Sequence, residues 1–331
     1  MKIMAGVMVV VAGMALGAVP AMAQGGTLLV ANQGDHTLSL IDARVGKEIA
    51  AIPVGGVTGH EVAVSADGKM AFVPIYGDSG VGRAGTDGSS MSVIDLAARK
   101  VVGTVDFGHG VRPHMPLVEP VSGMLYVTTE LDKAVTVIDP KTLKIVGSIP
   151  TGQEQSHMLV VSHDGKRGYT ANVGPGTVSV LDMVARKTVA VIPVSGTTQR
   201  ISMSRDGSMV FTADQKKPQM AVIDTATNKV KSWIALPAVG YGSAVTPDGR
   251  WLLVGMGPAK QVAAVDLGTM KVAHTMDVPA GSGEILVRPD GKVAYVSCPI
   301  DGKVAEIDLA TWKVTRLIAA GNKADGLAWV K

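Results

Sequence analysis

The sequence has very little of several features on which other protein classes depend. Cysteine occurs once, at Cys298, so no disulfide can form within the chain, and no Cys-x-x-Cys-His motif is present for covalent attachment of haem. Aromatic residues make up 4% of the chain, and the formal net charge is +3 with no basic run, which argues against nucleic-acid binding. After residue 23 no apolar stretch is long enough to span a bilayer.

The first 23 residues have the three parts of a secretory signal peptide. Lys2 gives a positive start, an apolar run follows from Ile3 to Val19, and Ala21-Met22-Ala23 supplies the small residues that signal peptidase accepts. A membrane anchor is the alternative, but this run is rich in Gly and Ala and ends in a suitable cleavage site. We therefore predict cleavage after Ala23 and a periplasmic or secreted protein with one domain, residues 24–331.

Two sequence markers recur along the rest of the chain. A tight turn, with Gly supplying a positive φ, appears at Asp67-Gly68, Asp164-Gly165, Asp206-Gly207, Asp248-Gly249 and Asp290-Gly291, and Ser122-Gly123 fills the missing slot. From Gly165 to Gly291 the step is 42 residues each time. Apolar-rich segments end in Asp seven times, at Asp42, Asp95, Asp139, Asp182, Asp224, Asp266 and Asp308.

Each repeat unit contains the pattern of four short strands. In the unit at 158–194 we predict strands at Leu159–Ser162, Tyr169–Asn172, Thr177–Asp182 and Lys187–Ile192. Four strands in about 42 residues is the spacing of a propeller blade. Seven units therefore predict an all-β, seven-bladed β-propeller. The chain starts on a second strand, Thr27–Asn32, and ends on a first strand, Gly326–Val330, so these two strands should share one blade and close the ring.

Some segments resemble a known repeat. Val64–Gly68, Gly168–Asn172 and Val222–Thr227 are similar to the YVTN repeat of bacterial surface and periplasmic propellers, and the resemblance covers residues 27–330. It implies the propeller fold. It leaves the activity open, because similar propellers include lactonases, subunits of amine dehydrogenases, haem-binding propellers and proteins with no known activity.

The first strand of each blade lines the central channel in known propellers, so the residues at its start should form a ring at the channel mouth. Counting back from the turns gives Asp325, His60, His114, His157, Gln199, Tyr241 and Gly283, followed in the chain by Gly326, Glu61, Met115, Met158, Arg200, Gly242 and Glu284. Three of the seven His of the chain thus occupy one position in successive blades.

Three imidazoles at one mouth are the ligand set of many catalytic metal sites. We predict that His60, His114 and His157 bind the substrate or a divalent metal such as zinc, copper, iron or calcium, with Asp325 as a fourth ligand or an acceptor that orients an imidazole. YVTN-like repeats often carry a Pro-His-Gly-like sequence here, so inheritance by duplication is the alternative. The neighbouring Met115 and Met158 hint at copper, although strand alternation favours their burial between blades.

The opposite half of the ring offers groups for acid–base chemistry. Tyr241, Arg200 and Glu284, together with Asp325, are predicted to orient substrate and move protons. The alternative is an ion pair between Arg200 and Glu284, and both lie one residue past the ring position, where strand alternation should turn them from the axis. A long connection, Tyr76–Ser90, is either a lid over the His cluster or a mobile surface loop. Cys298 is a nucleophile, a metal ligand or a small packed residue.

Three functions are consistent with these features. The first is a metal-assisted hydrolase or lyase, similar to a lactonase, that acts on a small anionic or cyclic substrate at the channel mouth. The second is a non-enzymatic periplasmic binding or scaffold propeller for a protein or redox partner. The third is a propeller that handles non-covalent haem or copper. No nucleic acid and no transmembrane segment after signal removal are expected for any of them.

Overall fold

Seven four-stranded antiparallel sheets form the blades of a propeller, as the repeats predicted. The computed structural model describes residues 25–331, so the predicted signal peptide and its cleavage site lie outside the described residues. Apart from one 3₁₀ turn at Gly257–Ala259, the regular elements of residues 25–331 are strands. Within the same residues there is no helix with the length and apolar composition needed to cross a membrane.

The strands follow one another from the channel outward in each blade. Blade one contains β1 (Thr27–Asn32), β2 (Thr37–Asp42) and β3 (Lys47–Pro53), and its fourth strand comes from the chain end. Blade two contains β4 (Ala63–Val64), β5 (Met70–Gly77), β6 (Asp87–Asp95) and β7 (Lys100–Asp106). Blade three contains β8 (Pro113–Val118), β9 (Leu125–Thr129), β10 (Ala134–Asp139) and β11 (Lys144–Pro150). Blade four contains β12 (Ser156–Val161), β13 (Arg167–Asn172), β14 (Thr177–Asp182) and β15 (Lys187–Pro193).

The remaining blades repeat this order. Blade five contains β16 (Ile201–Met203), β17 (Met209–Asp214), β18 (Gln219–Asp224) and β19 (Lys229–Ala235). Blade six contains β20 (Ser243–Val245), β21 (Trp251–Met256), β22 (Gln261–Asp266) and β23 (Lys271–Asp277). Blade seven contains β24 (Ile285–Val287), β25 (Val293–Cys298), β26 (Lys303–Asp308) and β27 (Lys313–Ala319), and the final strand is β28 (Ala324–Val330).

The two sequence markers are turn residues, which explains their periodic recurrence. The carboxylate of Asp164 accepts hydrogen bonds from the Ser162 hydroxyl at 2.6 Å and the Lys166 amide at 3.0 Å, and Gly165 supplies φ of 70°. Asp182 ends β14 and accepts from the amides of Val184 and Ala185. Each carboxylate thus satisfies backbone donors where one strand turns into the next.

The hydrophobic core lies between the blades rather than inside any one of them. The two central strands of each blade are buried on both faces, because each sheet is packed between two neighbours. One cluster, for example, joins Leu29 and Leu40 of blade one to Val73 and Ile94 of blade two. The outer strands instead alternate between exposed and partly buried residues, as in β15.

The ring closes as predicted. β28 pairs with β1 in an antiparallel register, with Thr27 opposite Val330 and Val30 opposite Leu327. The N- and C-terminal strands therefore share blade one, in the order β28-β1-β2-β3. This pairing joins the two ends of the described chain without a covalent link and covers the inner edge of β1.

Candidate functional site at the channel mouth

The ring positions coincide with irregularities in the innermost strands. In β12 the pairing register shifts between Ser156 and Met158, so that His157 is an extra residue, and similar shifts occur at 113–116 in β8 and at 324–327 in β28. A β-bulge re-aims side chains and interrupts strict alternation. The residues after the ring position divide into two groups: Met158 packs into the core as alternation predicts, whereas Arg200 and Glu284 lie just before β16 and β24 and contact each other at the mouth, which corrects the expectation for these two.

The three predicted histidines lie together. The ring centroids of His60 and His114 are 5.1 Å apart, and those of His114 and His157 are 3.5 Å apart with planes inclined by 32°. His114 and His157 are buried, whereas the His60 side chain is 21% exposed. The aromatic ring of Tyr76 packs against the cluster, 4.8 Å from His60 and 5.5 Å from His114.

A buried hydrogen-bond chain fixes the orientation of His157. The Tyr76 hydroxyl donates to Glu130 Oε2 at 2.7 Å, and Glu130 Oε1 is hydrogen bonded to His157 Nδ1. Gln199 Nε2 lies 2.9 Å from the other ring nitrogen, Nε2. A carboxylate acceptor at Nδ1 and an amide donor at Nε2 suit the neutral tautomer with its proton on Nδ1. Burial lowers the pKa of His157, although Glu130 opposes the shift.

These contacts do not fit the predicted metal site. Both nitrogens of His157 are engaged by Glu130 and Gln199, and His114 faces His157 with its ring plane rather than with a nitrogen. A metal is bound in the plane of an imidazole, along a nitrogen lone pair. Among residues 25–331 no three His, Cys, Asp or Glu side chains have a metal-binding arrangement. Metal binding by the three His stays a prediction, and no chemical step is derived from it below.

His114 provides a test of the buried cluster. Its side chain is buried and its Nδ1 atom has no hydrogen-bond partner among residues 25–331. Burial, reinforced by the nearby His157 and His60, holds the pKa of His114 well below its ordinary value. The unfolded chain therefore binds this proton more readily than the folded protein, so stability is present above about pH 6.5 and is lost as the pH falls toward the folded-state pKa.

We expect wild type to lose more stability than His114→Gln between pH 7 and pH 5, by up to about 1.4 kcal/mol per pH unit. Denaturant unfolding across this range measures the difference. His163→Gln is the matched control, because His163 is exposed in the turn at Asp164 on the opposite face. Parallel pH profiles for wild type and His114→Gln would show that His114 does not titrate between the two states.

Arg200 lies at the centre of a buried ionic cluster. Its Nη1 lies 2.6 Å from Glu61 Oε1 and 2.5 Å from Glu284 Oε2, and its Nη2 lies 3.1 Å from Asp325 Oδ1. The Glu61 contact is close but is not a directed hydrogen bond, since Oε1 has no such partner among residues 25–331. The alternative of an Arg200–Glu284 ion pair is thus observed. A substrate carboxylate would have to displace the protein's own carboxylates to reach this guanidinium.

The charges of the cluster are set by burial and by mutual contacts. Burial raises the pKa of Glu61 well above its ordinary value, although Arg200 opposes the shift. Burial disfavours the charged form of Arg200, yet Glu61, Glu284 and Asp325 together keep its pKa well above normal. Burial would also raise the pKa of Asp325, but hydrogen bonding to His60 and the charge of Arg200 outweigh it and lower that pKa. Asp325 is therefore ionised at neutral pH, whereas burial shifts Glu61 toward its neutral form.

Asp325 links this cluster to the histidines. Its Oδ2 accepts a hydrogen bond from Gln33 Nε2 and lies 3.5 Å from His60 Nδ1. Gln33 Nε2 also lies 3.0 Å from His60 Nδ1. Tyr241, the remaining predicted group, has its ring centroid 5.2 Å from the guanidinium carbon of Arg200. The structure thus brings together all seven predicted site residues.

A pocket of about 830 Å³ opens beside these groups. Asp325, Tyr241 and Gln33 contribute polar lining, and apolar lining includes Val239 and Ile300. Lys323 lies on the same lining and is exposed. The pocket has the size and the mixed lining of small-molecule sites, and it places an ionised carboxylate and a phenol within reach of a ligand.

The long connection is shorter than predicted and lies over the histidine side of the mouth. β5 continues to Gly77 and β6 begins at Asp87, so only 78–86 is outside the strands. Arg112 anchors it, with Nε 2.6 Å from Asp87 Oδ1 and with Nη1 and Nη2 donating to the carbonyls of Gly80 and Arg83. Together with Glu130 it lines a second pocket of about 360 Å³.

Two other candidates are packed residues. Cys298 is buried in the core between blades six and seven, and burial raises the pKa of its thiol to about 11. It is therefore protonated at neutral pH and is not an activated nucleophile. Met158 is buried in a core cluster of blades four and five, and Met115 packs against that cluster, which supports the packing role over copper binding.

Sequence reasoning missed Gln33, Tyr76 and Glu130. All three lie at one position, at or just past the end of the second strand of a blade, and Gln215, Gly257 and Pro299 occupy it in other blades. These last three, like Gln33, line the large pocket. Comparing the repeats at the end of the second strand, as was done for the start of the first strand, would have identified these residues.

Solved structures share this architecture. Hydrazine synthase of Kuenenia stuttgartiensis is 22% identical over 87% of this chain and 94% of that chain, with a TM-score of 0.75. The periplasmic gluconolactonase PpgL of Pseudomonas aeruginosa is 16% identical over 92% of this chain and 99% of that chain, with a TM-score of 0.73. Dihydro-haem d1 dehydrogenase NirN is 17% identical over 95% of this chain and 78% of that chain, with a TM-score of 0.68. These likenesses show the seven-bladed fold alone. No family model and no curated protein matches the sequence.

Proposed function

We propose that the chain is an exported enzyme that hydrolyses small cyclic esters at the channel mouth, with His60 as its general base. The observation that carries the proposal is the pairing of His60 with Asp325, a carboxylate residue that lines the large pocket. His60 is the most exposed of the three clustered histidines, so it is the one that a bound water can reach. The gluconolactonase neighbour adds the substrate class as a guide.

The arrangement suits ester hydrolysis by water. His60 takes a proton from a water molecule as that water attacks the carbonyl carbon, and Asp325 stabilises the imidazolium that forms. Tyr241 donates a hydrogen bond to the carbonyl oxygen as negative charge develops there. The ring C–O bond then breaks, and the leaving oxygen takes the proton from His60. One lactone and one water give one hydroxy acid.

Burial supports the role of Tyr241 as a donor. Burial raises the pKa of Tyr241, which keeps the phenol protonated at neutral pH despite the opposing effect of Arg200. A protonated phenol donates a hydrogen bond, whereas a phenolate cannot. Asp325 is a weak base because its pKa is lowered, so its part is to hold and stabilise His60.

We expect the purified mature protein to release acid from at least one small γ- or δ-lactone, with a turnover number of about 1–1,000 s⁻¹ that EDTA leaves unchanged. A pH-stat assay over a lactone panel measures this. Loss of activity in EDTA and recovery with zinc would instead support the three-histidine metal site. Binding of small molecules without any hydrolysis would contradict the enzyme and support a binding propeller.

A further inference from the structure

We propose that the ligand of the large pocket carries a positively charged alkylammonium group. The inference rests on the proposed function, because it names the charge class of the substrate that the same site takes. It reverses the expectation of an anionic substrate, which depended on a free guanidinium at Arg200. The cluster around Arg200 and the lining of the pocket are the two observations behind it.

The buried cluster is too acidic for its single cation. Glu61, Glu284 and Asp325 all contact Arg200, which is 3% exposed, so three carboxylates share one guanidinium. A buried charge without a partner is costly, which means that the cluster attracts a further positive charge. Even without Glu61, two carboxylates, those of Glu284 and Asp325, contact this one guanidinium.

His60 is the neighbour that can offset a carboxylate, since its Nδ1 lies 3.5 Å from Asp325 Oδ2, and it leaves two carboxylates to share Arg200. His157 faces Glu130 and His114 rather than this cluster. Glu130 adds a fourth buried carboxylate, paired with neutral groups. Lys323 is the cation of the pocket lining, but it is exposed, so solvent screens its charge.

The pocket itself selects an organic cation over a hydrated metal ion. Asp325 and Tyr241 both line the pocket, and they supply a carboxylate residue and an aromatic residue. Around them are apolar residues, namely Val239, Pro258, Pro299 and Ile300. A quaternary alkylammonium is weakly hydrated and gains from contact with an aromatic face and apolar walls, whereas a divalent ion needs several oxygen ligands. The volume of about 830 Å³ leaves room for a cyclic ester attached to such a group.

Choline and 3,3-dimethylbutan-1-ol make a matched pair of probes, because they share shape and hydroxyl and differ in the quaternary nitrogen. Isothermal titration of the mature protein at pH 7.5 should give about ten-fold or tighter binding for choline. Isethionate, a small anion with a hydroxyl group, should bind more weakly than either. Equal affinity for choline and its neutral isostere would overturn the proposal.

The charge of the cluster is tested by substitution. Glu284→Gln removes a charge from the cluster at nearly constant shape, so we expect the choline preference to fall several-fold. Lys323→Ala should raise it. Asp290→Asn, which removes a carboxylate from a turn on the opposite face, is the control and should leave it unchanged. Thermal melting confirms that each variant is folded. A choline preference that is unchanged in folded Glu284→Gln would show that the carboxylates around Arg200 are not its cause.

This experiment separates the two proposals because calorimetry needs no turnover. A choline preference without hydrolysis of any lactone would retain the cationic ligand and reject the lactonase. The opposite outcome is hydrolysis of neutral lactones at a rate that the trimethylammonium group of α-trimethylammonio-γ-butyrolactone does not increase. It would retain the lactonase and reject the cationic ligand.

Discussion

A protein that ends at Lys323 is expected not to fold. The truncation removes β28, the innermost strand of blade one, and with it the buried side chains of Leu327 and Val330. Burial of each such side chain contributes about 1.5–3 kcal/mol, and the loss also exposes the backbone edge of β1. Whole domains are stable by only about 5–15 kcal/mol. Circular dichroism and thermal melting of the soluble fraction measure the outcome.

A circular permutant separates the loss of the strand from the opening of the ring. Thr27 lies opposite Val330, so a short glycine linker from Lys331 to Gly25 makes an ordinary hairpin, and new ends can be placed between Lys323 and Ala324. This permutant keeps every strand and should fold. A truncated protein that melts like wild type would show that blade one is stable without its inner strand.

Most of the fold can be predicted from the sequence because turn residues mark each repeat. Thr177–Asp182 was predicted with its observed bounds, since Asp182 closes the turn into the next strand. The final strand begins at Ala324 rather than Gly326. Its start contains a bulge, which has no alternating pattern and so no sequence signature.

The candidate site was predictable by position but not by contact. The repeat register placed His60, His114 and His157 at one mouth, and the structure brings them together. It did not indicate that the rings of His114 and His157 would lie in contact at a tilt of 32°, because ring planes depend on rotamers. Nor did the register indicate that Arg200 contacts residues of three other blades across the channel. Glu61 lies 139 residues before Arg200 and Asp325 lies 125 residues after it, and no local sequence pattern encodes contacts at such separations.

Replacing His60 by Ala is expected to lower kcat for lactone hydrolysis about 10²–10⁴-fold, because general base catalysis contributes about this much. Asp325→Asn should lower kcat as well, since the imidazolium loses its carboxylate partner. Both effects are read from initial rates on the best lactone of the panel, with circular dichroism as the test of folding.

Loss of the general base should also be visible in two further measurements. The pH dependence of kcat/KM should lose its lower limb in His60→Ala, and added imidazole should restore part of the rate by occupying the space of the missing ring. His163→Ala, on the opposite face, should match wild type. If His60→Ala keeps full activity while His157→Ala loses it, the base is the histidine held by Glu130 and Tyr76, and the reaction takes place deeper in the mouth than His60.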